Sequence, residues 1–221
     1  TPHCPSQTAY ALAVDFDLIP KDKLKNTRKY FKKREELLYK KKEDSEEAQI
    51  LKEKKKVLDL GTGAGFPGMV LAILCPDYEF VLADSLNKRI EFLKVVINRL
   101  QIHNVSVIHG RAEELGRDEN FRNQFDYVVS RAVAELPVLL EYCIPFVKKG
   151  GYFVSYKSRR LDEEIENAEN ALNMLYTKYE KKYKYELEYD HSERYLVFFR
   201  CENITDSKYP RKPKKIKTNP L

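Results

Sequence analysis

Long apolar runs are missing from this 221-residue sequence. No stretch approaches the roughly 20 apolar residues that a membrane-spanning helix needs. The apolar patch from Tyr10 to Ile19 is interrupted by Asp15 and Asp17, and nothing there has the layout of a secretory leader, so a soluble protein without membrane contact is expected. Cysteine is scarce too. Cys4, Cys75, Cys143 and Cys201 stand far apart, form no CxxC pair and do not cluster with the four histidines. That pattern argues against a metal site or a disulfide framework and for idle thiols in a reducing compartment. No internal repeat is found. What is present, 43% hydrophobic and 12% aromatic residues, suffices for one α/β domain with a buried core and appended segments, not for two roomy domains.

The formal net charge of +6 is unevenly spread. Residues 21–56 carry +7 and residues 208–221 carry +6 with no acid, whereas the body from 57 to 207 carries −5 and residues 1–20 carry −2. Basic ends around an acidic body suit arms that grip a phosphate backbone; solvated tails are the plainer reading of the same composition. Three parts follow: a charged, helical extension over 1–55, a catalytic body over 56–205, and a basic tail over 206–221.

From Lys56 onward, short apolar runs alternate with helical stretches, the mark of a wound parallel sheet. Strands are predicted at Val57–Leu60, Phe80–Ala83, Val105–Ile108, Tyr127–Ser130 and Tyr152–Tyr156. A short helix should follow residues 61–68 and end before Pro76. Further helices are predicted at Asn87–Leu100, with Ile90, Leu93, Val96, Ile97 and Leu100 on one side, at Pro137–Phe146, ended by Gly150 and Gly151, and at Asp162–Tyr176. Two last strands, around Tyr185–Tyr189 and Tyr195–Phe199, look like a hairpin. Seven strands, mostly parallel with one antiparallel, are expected.

The most specific segment is Val57-Leu58-Asp59-Leu60-Gly61-Thr62-Gly63-Ala64-Gly65-Phe66-Pro67-Gly68. Glycines belong where the chain turns sharply off a strand and a ligand approaches the backbone. Gly63 to Gly68 satisfies the dinucleotide pattern GxGxxG. Asp59, two residues before Gly61, gives instead the order D-x-G-x-G-x-G, which resembles motif I of class I methyltransferases. Asp84, ending the second strand, can accept hydrogen bonds from both ribose hydroxyls of an adenosyl group, which an NAD ribose would also satisfy. The loop His109-Gly110-Arg111-Ala112-Glu113-Glu114 and the segment Ser130-Arg131-Ala132-Val133-Ala134 end the third and fourth strands, at the edge where open α/β sheets bind ligands.

These segments together resemble the bacterial small-subunit rRNA methyltransferase G family, formerly glucose-inhibited division protein B. The likeness includes Asp84-Ser85-Leu86-Asn87-Lys88-Arg89, Leu139-Leu140-Glu141, Lys148-Lys149-Gly150-Gly151 and the tail Lys208-Tyr209-Pro210-Arg211-Lys212-Pro213. It runs over residues 56–217. The family's amino-terminal Trp-Asn, Asn-Leu-Thr, His and Asp-Ser elements are not found in residues 1–56.

The resemblance implies a Rossmann-like, class I S-adenosylmethionine-dependent methyltransferase fold and methylation of guanine nitrogen-7 in 16S rRNA. It places cofactor contacts at Gly61, Phe66, Ala112, Glu113 and Arg131, to which the residue pattern adds Gly63, Gly65 and Asp84. The implied partner is 16S rRNA or the small ribosomal subunit, met by a monomer in the bacterial cytoplasm through Lys208, Arg211, Lys212, Lys214, Lys215 and Lys217. Guanine nitrogen-7 carries a free lone pair, so no general base is expected; Arg131 is a candidate for positioning. A bidentate Arg on oxygen-6 and nitrogen-7 would cover the nucleophile. The sequence has neither the Asn/Asp-Pro-Pro-Tyr element used on exocyclic amines nor a Pro-Cys nucleophile. Open alternatives are another methyl acceptor, an NAD-dependent oxidoreductase and a non-catalytic ribosome-assembly factor.

Overall fold

Parallel strands buried on both faces read as near-continuous apolar runs, as the central Val57–Leu60 and Phe80–Ala83 do. The computed structural model describes residues 55–131, 134–157, 161–186 and 193–221. The extension expected over 1–55 therefore lies, apart from Lys55, outside the described residues. Strand β1 (Lys56–Leu60) is buried beyond its first residue. It lies between β2 (Glu79–Asp84) and β4 (Phe125–Arg131), both parallel to it. With β3 (Val105–His109), β5 (Val147–Lys157), β6 (Thr177–Glu186) and β7 (Glu193–Cys201), the order is β3-β2-β1-β4-β5-β7-β6. Strand β7 runs antiparallel to both its neighbours. The seven strands and the one antiparallel strand read from the sequence are as expected.

The period of two sorts β1 into two cores. Leu58 and Leu60 join one large cluster with Val128, Phe153, Val197 and Phe199. That face is covered by α4 (Leu136–Cys143), α5 (Leu161–Asn167) and α6 (Glu169–Met174), which contribute Leu139, Leu161 and Ala171. Val57 and Asp59 point the other way, toward α1 (Gly68–Leu74) and α2 (Asn87–Leu100), where Met69, Leu82 and Leu93 pack together. The one-turn helix α3 (Ala112–Leu115) follows β3, and α7 (Pro213–Thr218) closes the chain.

Three elements differ from the sequence reading. The helix predicted over Pro137–Phe146 ends at Cys143 and tightens into a 3₁₀ turn at Ile144–Phe146. Gly150 and Gly151 are not its stop: they lie inside β5, where the ladder shifts register between Phe125 and Tyr127 of its partner. The helix predicted over Asp162–Tyr176 is divided at Ala168 and finishes at Met174, after which Tyr176 takes a left-handed φ of 52° and turns the chain into β6. Strand β6 begins at Thr177, well before the predicted Tyr185. Its Lys-Tyr sequence lacks apolar alternation, and a register shift between Tyr179 and Lys181 interrupts what period there is.

Candidate cofactor site

The strand order reverses between β1 and β4, so crossovers leave in opposite directions and open a crevice at their carboxyl ends. Three backbone and side-chain ties shape the turn at that point. Gly61 and Thr62 N–H donate to the Ala83 carbonyl at 2.9 and 3.1 Å, and the Ser130 hydroxyl donates to Leu60 O at 2.9 Å. The buried Asp59 carboxylate accepts from Thr62 Oγ1 at 2.6 Å and Gly68 N–H at 2.8 Å, both through Oδ2. It thus locks the turn to the first residue of α1. Gly68 has to be glycine, because a Cβ there would overlap Leu82 and stand 2.7 Å from Asp59.

Gly63 is of another kind. It has φ +61°, and a Cβ built on it meets no atom within 4 Å. Its N–H donates to Asp84 Oδ2 at 2.9 Å. The Asp84 carboxylate also accepts from Leu86 N–H at 2.9 Å and from Arg89 Nη1 at 3.1 Å. Arg89, whose side chain is 48% exposed, adds a second contact from Nη1 to Oδ1 at 3.5 Å, so both oxygens of this buried carboxylate are engaged. Around it, Gly110 N–H donates to Asp84 O at 3.1 Å, which draws the start of α3, with Ala112 and Glu113, toward the end of β2. The exposed Arg131 guanidinium lies 5.8 Å from the centre of the Phe66 ring. Gly61, Gly63, Gly65, Phe66, Asp84, Ala112, Glu113 and Arg131 thus all lie at one edge of the sheet. Residues 132 and 133 are outside the described residues.

Asp59 is the one residue here whose role the sequence reading left open. Burial pushes its carboxyl up to about 6, against the pull of the Thr62 and Gly68 hydrogen bonds and of the Arg131 charge. A perturbed carboxyl beside a crevice often marks an acid or base. This one is 1% exposed and bonded into the turn, so it braces.

The six tail cations do not form a free arm. Residues 205–221 fold back on the body: Tyr209 and Ile216 are buried, and Arg211 is taken up by Glu141, with Nη2 to Oε2 at 2.7 Å. Lys208, Lys212, Lys214, Lys215 and Lys217 remain exposed. Among the described residues no group of His, Cys, Asp or Glu is placed to hold a metal ion, and no helix is long and apolar enough to cross a membrane.

A family model described as rRNA small subunit methyltransferase G matches residues 29–191. The chain belongs to that family. The match begins upstream of residue 56, where the likeness read from the sequence begins, and so takes in part of the charged extension. The ribosomal RNA small subunit methyltransferase G of Lachnoclostridium phytofermentans is 52% identical over 161 residues, covering 73% of this chain and 66% of that protein. The protein of the same name from Alkaliphilus metalliredigens is 47% identical over 167 residues, 76% of this chain and 70% of that one. Among solved structures, M. jannaschii TYW2 in complex with AdoMet superposes with a TM-score of 0.53 at 16% identity, covering 72% of this chain and 77% of that chain. P. horikoshii TYW2 in complex with MeSAdo gives 0.54 at 13% identity, over 68% and 58%. At such identity the likeness is one of fold. The methyltransferase G family member has the class I S-adenosylmethionine-dependent methyltransferase fold, and S-adenosylmethionine is its cofactor.

Proposed function

We propose that this family member transfers the methyl group of S-adenosylmethionine to nitrogen-7 of a guanine in 16S rRNA, acting as a monomer in the bacterial cytoplasm. The supporting observation is the pairing of Gly63 with Asp84. An open, side-chain-free backbone position stands hydrogen-bonded to a fixed carboxylate, which suits a nucleoside whose ribose hydroxyls need an acceptor and whose body needs the space. The cofactor, when bound, supplies an electrophilic methyl on a sulfonium. Gly61, Gly63 and Gly65 would line it with backbone, Asp84 would take its ribose, and Ala112 with Glu113 would flank the adenosyl end.

The chain's own task is then geometric. Guanine nitrogen-7 is unprotonated at neutral pH and needs no proton removed, in keeping with an edge whose one strongly perturbed carboxyl is turned into the fold. Holding donor and acceptor in line can supply on the order of 7–11 kcal/mol. Arg131, exposed beside Phe66, would anchor a phosphate or the cofactor and orient the pair. The base has to be unpaired or flipped to reach this edge, which favours an RNA loop. The exposed lysines of the carboxyl-terminal segment add sequence-independent phosphate contacts.

The test is transfer of labelled methyl from S-adenosylmethionine to bare 16S rRNA, to 30S particles and to ribosomal protein, followed by mapping of 7-methylguanine. Label in one rRNA guanine is the expected result. Label only in protein, or at another base atom, would overturn the reading.

A further inference from the structure

The carboxyl-terminal segment is held far more firmly than a phosphate-binding tail requires. Arg122 donates from Nη1 to Gly116 O at 2.8 Å and Tyr209 O at 2.7 Å, and from Nη2 to Thr205 O at 2.8 Å and Asp206 O at 3.0 Å. Arg117 Nη2 donates to Pro210 O at 2.7 Å. Glu141, fully buried in α4, receives Arg211 through its backbone N–H at 2.7 Å and its Nε at 2.9 Å as well as Nη2. Residues 205–211 are therefore a strap whose carbonyls are bound by two guanidinium groups and whose one inward charge is matched.

What the strap presses on is α3. Gly116 caps that helix, with its N–H donating to Ala112 O at 2.8 Å, and the Pro210 ring fills the space beside it, 3.2 Å from where a Gly116 Cβ would stand. Four residues make one helical turn, which is unstable without tertiary support. This turn carries Ala112 and Glu113. Tyr142, next to Glu141, has its hydroxyl pKa raised by burial first and then by the charges of Glu113 and Glu141, so α3 and the strap's ion pair lie within electrostatic reach of one group.

We infer that the Thr205–Arg211 strap, with Arg117, Arg122 and Glu141, is a positioning element of the cofactor pocket that couples RNA contact at the adjoining lysines to cofactor affinity. It rests on the proposed function for its ligands. Lys208, whose Nζ pairs with Asp206 at 3.0 Å within the strap, and the exposed Lys212 at its end are the points where a phosphate engages it; the strap fixes α3, and α3 sets Ala112 and Glu113. By linkage, bound cofactor tightens RNA by the same factor.

The experiment uses the full chain as wild type, Pro210→Ala and Arg117→Gln, both outside the pocket itself. Calorimetry gives the affinity for S-adenosylhomocysteine with and without a 16S rRNA fragment, and hydrogen exchange follows residues 110–117. Expected are faster exchange in that peptide alone, with β1, β4 and β5 protected as in wild type, and S-adenosylhomocysteine binding weakened about tenfold, a size typical of residues that act through others. The tightening caused by RNA in wild type should shrink to under about twofold in the variants. Wild-type affinity and wild-type exchange over 110–117 in both folded variants would overturn the inference. A wild-type chain that bound no S-adenosylhomocysteine would sink the proposed function instead, and the exchange arm would still decide whether the strap braces α3.

Discussion

Replacing Gly63 with alanine should weaken cofactor binding and leave the fold standing, while Gly68→Ala should destabilise the fold. At Gly63 the backbone is left-handed, which costs an alanine about 1–2 kcal/mol. For a domain of this size that lowers Tm by roughly 2–8 °C. No atom lies within 4 Å of the new methyl, so no steric cost is added in the free protein. At the proposed site the methyl would take space that the ligand needs, and overlap worth about 1–3 kcal/mol would weaken S-adenosylhomocysteine by roughly 5- to 150-fold. At Gly68 the methyl meets Leu82 and stands 2.7 Å from both Cβ and Oδ2 of Asp59 at the buried start of α1. Neither neighbour can yield without breaking the Asp59 bonds, so overpacking of about 3 kcal/mol or more is expected. Calorimetric titration and urea unfolding on each variant separate the two effects. Wild-type affinity in Gly63→Ala, or wild-type stability in Gly68→Ala, would refute the assignment of one glycine to the ligand and the other to the scaffold.

Asp59 gives a pH signature. Its folded pKa of about 6 lies above the ordinary 3.8, so the folded state holds the proton more tightly and this group's contribution to stability falls as pH rises from about 4 to 6. Urea unfolding of wild type and Asp59→Asn should show the variant gaining on wild type across that window; a difference independent of pH would contradict the assignment. Glu141→Gln strands Arg211 at a site only 14% exposed and should cost about 3–5 kcal/mol in urea, much of it recovered by adding Arg211→Met. Neutralising Lys212, Lys214, Lys215 and Lys217 together with glutamine should leave Tm nearly unchanged. It should reduce the salt slope of rRNA binding by about 0.7–0.9 for each phosphate that the lysines no longer neutralise. Deleting residues 208–221 should instead unfold the protein, because Tyr209, Ile216 and the Arg211–Glu141 pair go with them.

The strands around the site were legible because their sequences are local statements: an apolar run, then Gly61 or Asp84 at its carboxyl end, read the same in isolation as in the sheet. Strand β6 was not, since alternating lysine and tyrosine becomes a strand only by pairing with β7. The Gly150-Gly151 pair has the form of a helix stop and serves as an irregularity inside β5, a choice made by the neighbouring strand.

The amino-acid sequence by itself determined the order of strands and helices and the glycine-rich turn, because period-two and helical apolar patterns and backbone freedom at glycine act over a few residues. It determined the two carboxylates as well, with a ribose-binding duty expected for Asp84 and none assigned to Asp59. Only the tertiary structure decided that both carboxylates are buried on one face and share out the turn, Asp59 holding Thr62 and Gly68 and Asp84 holding Gly63, because the parallel register of β1 and β2 brings the two strand ends together. It also decided that the basic tail is a strap with five outward lysines and one inward arginine. An arginine's partner seventy residues away, Glu141, can be found only where the folded chain brings the two together and water is excluded.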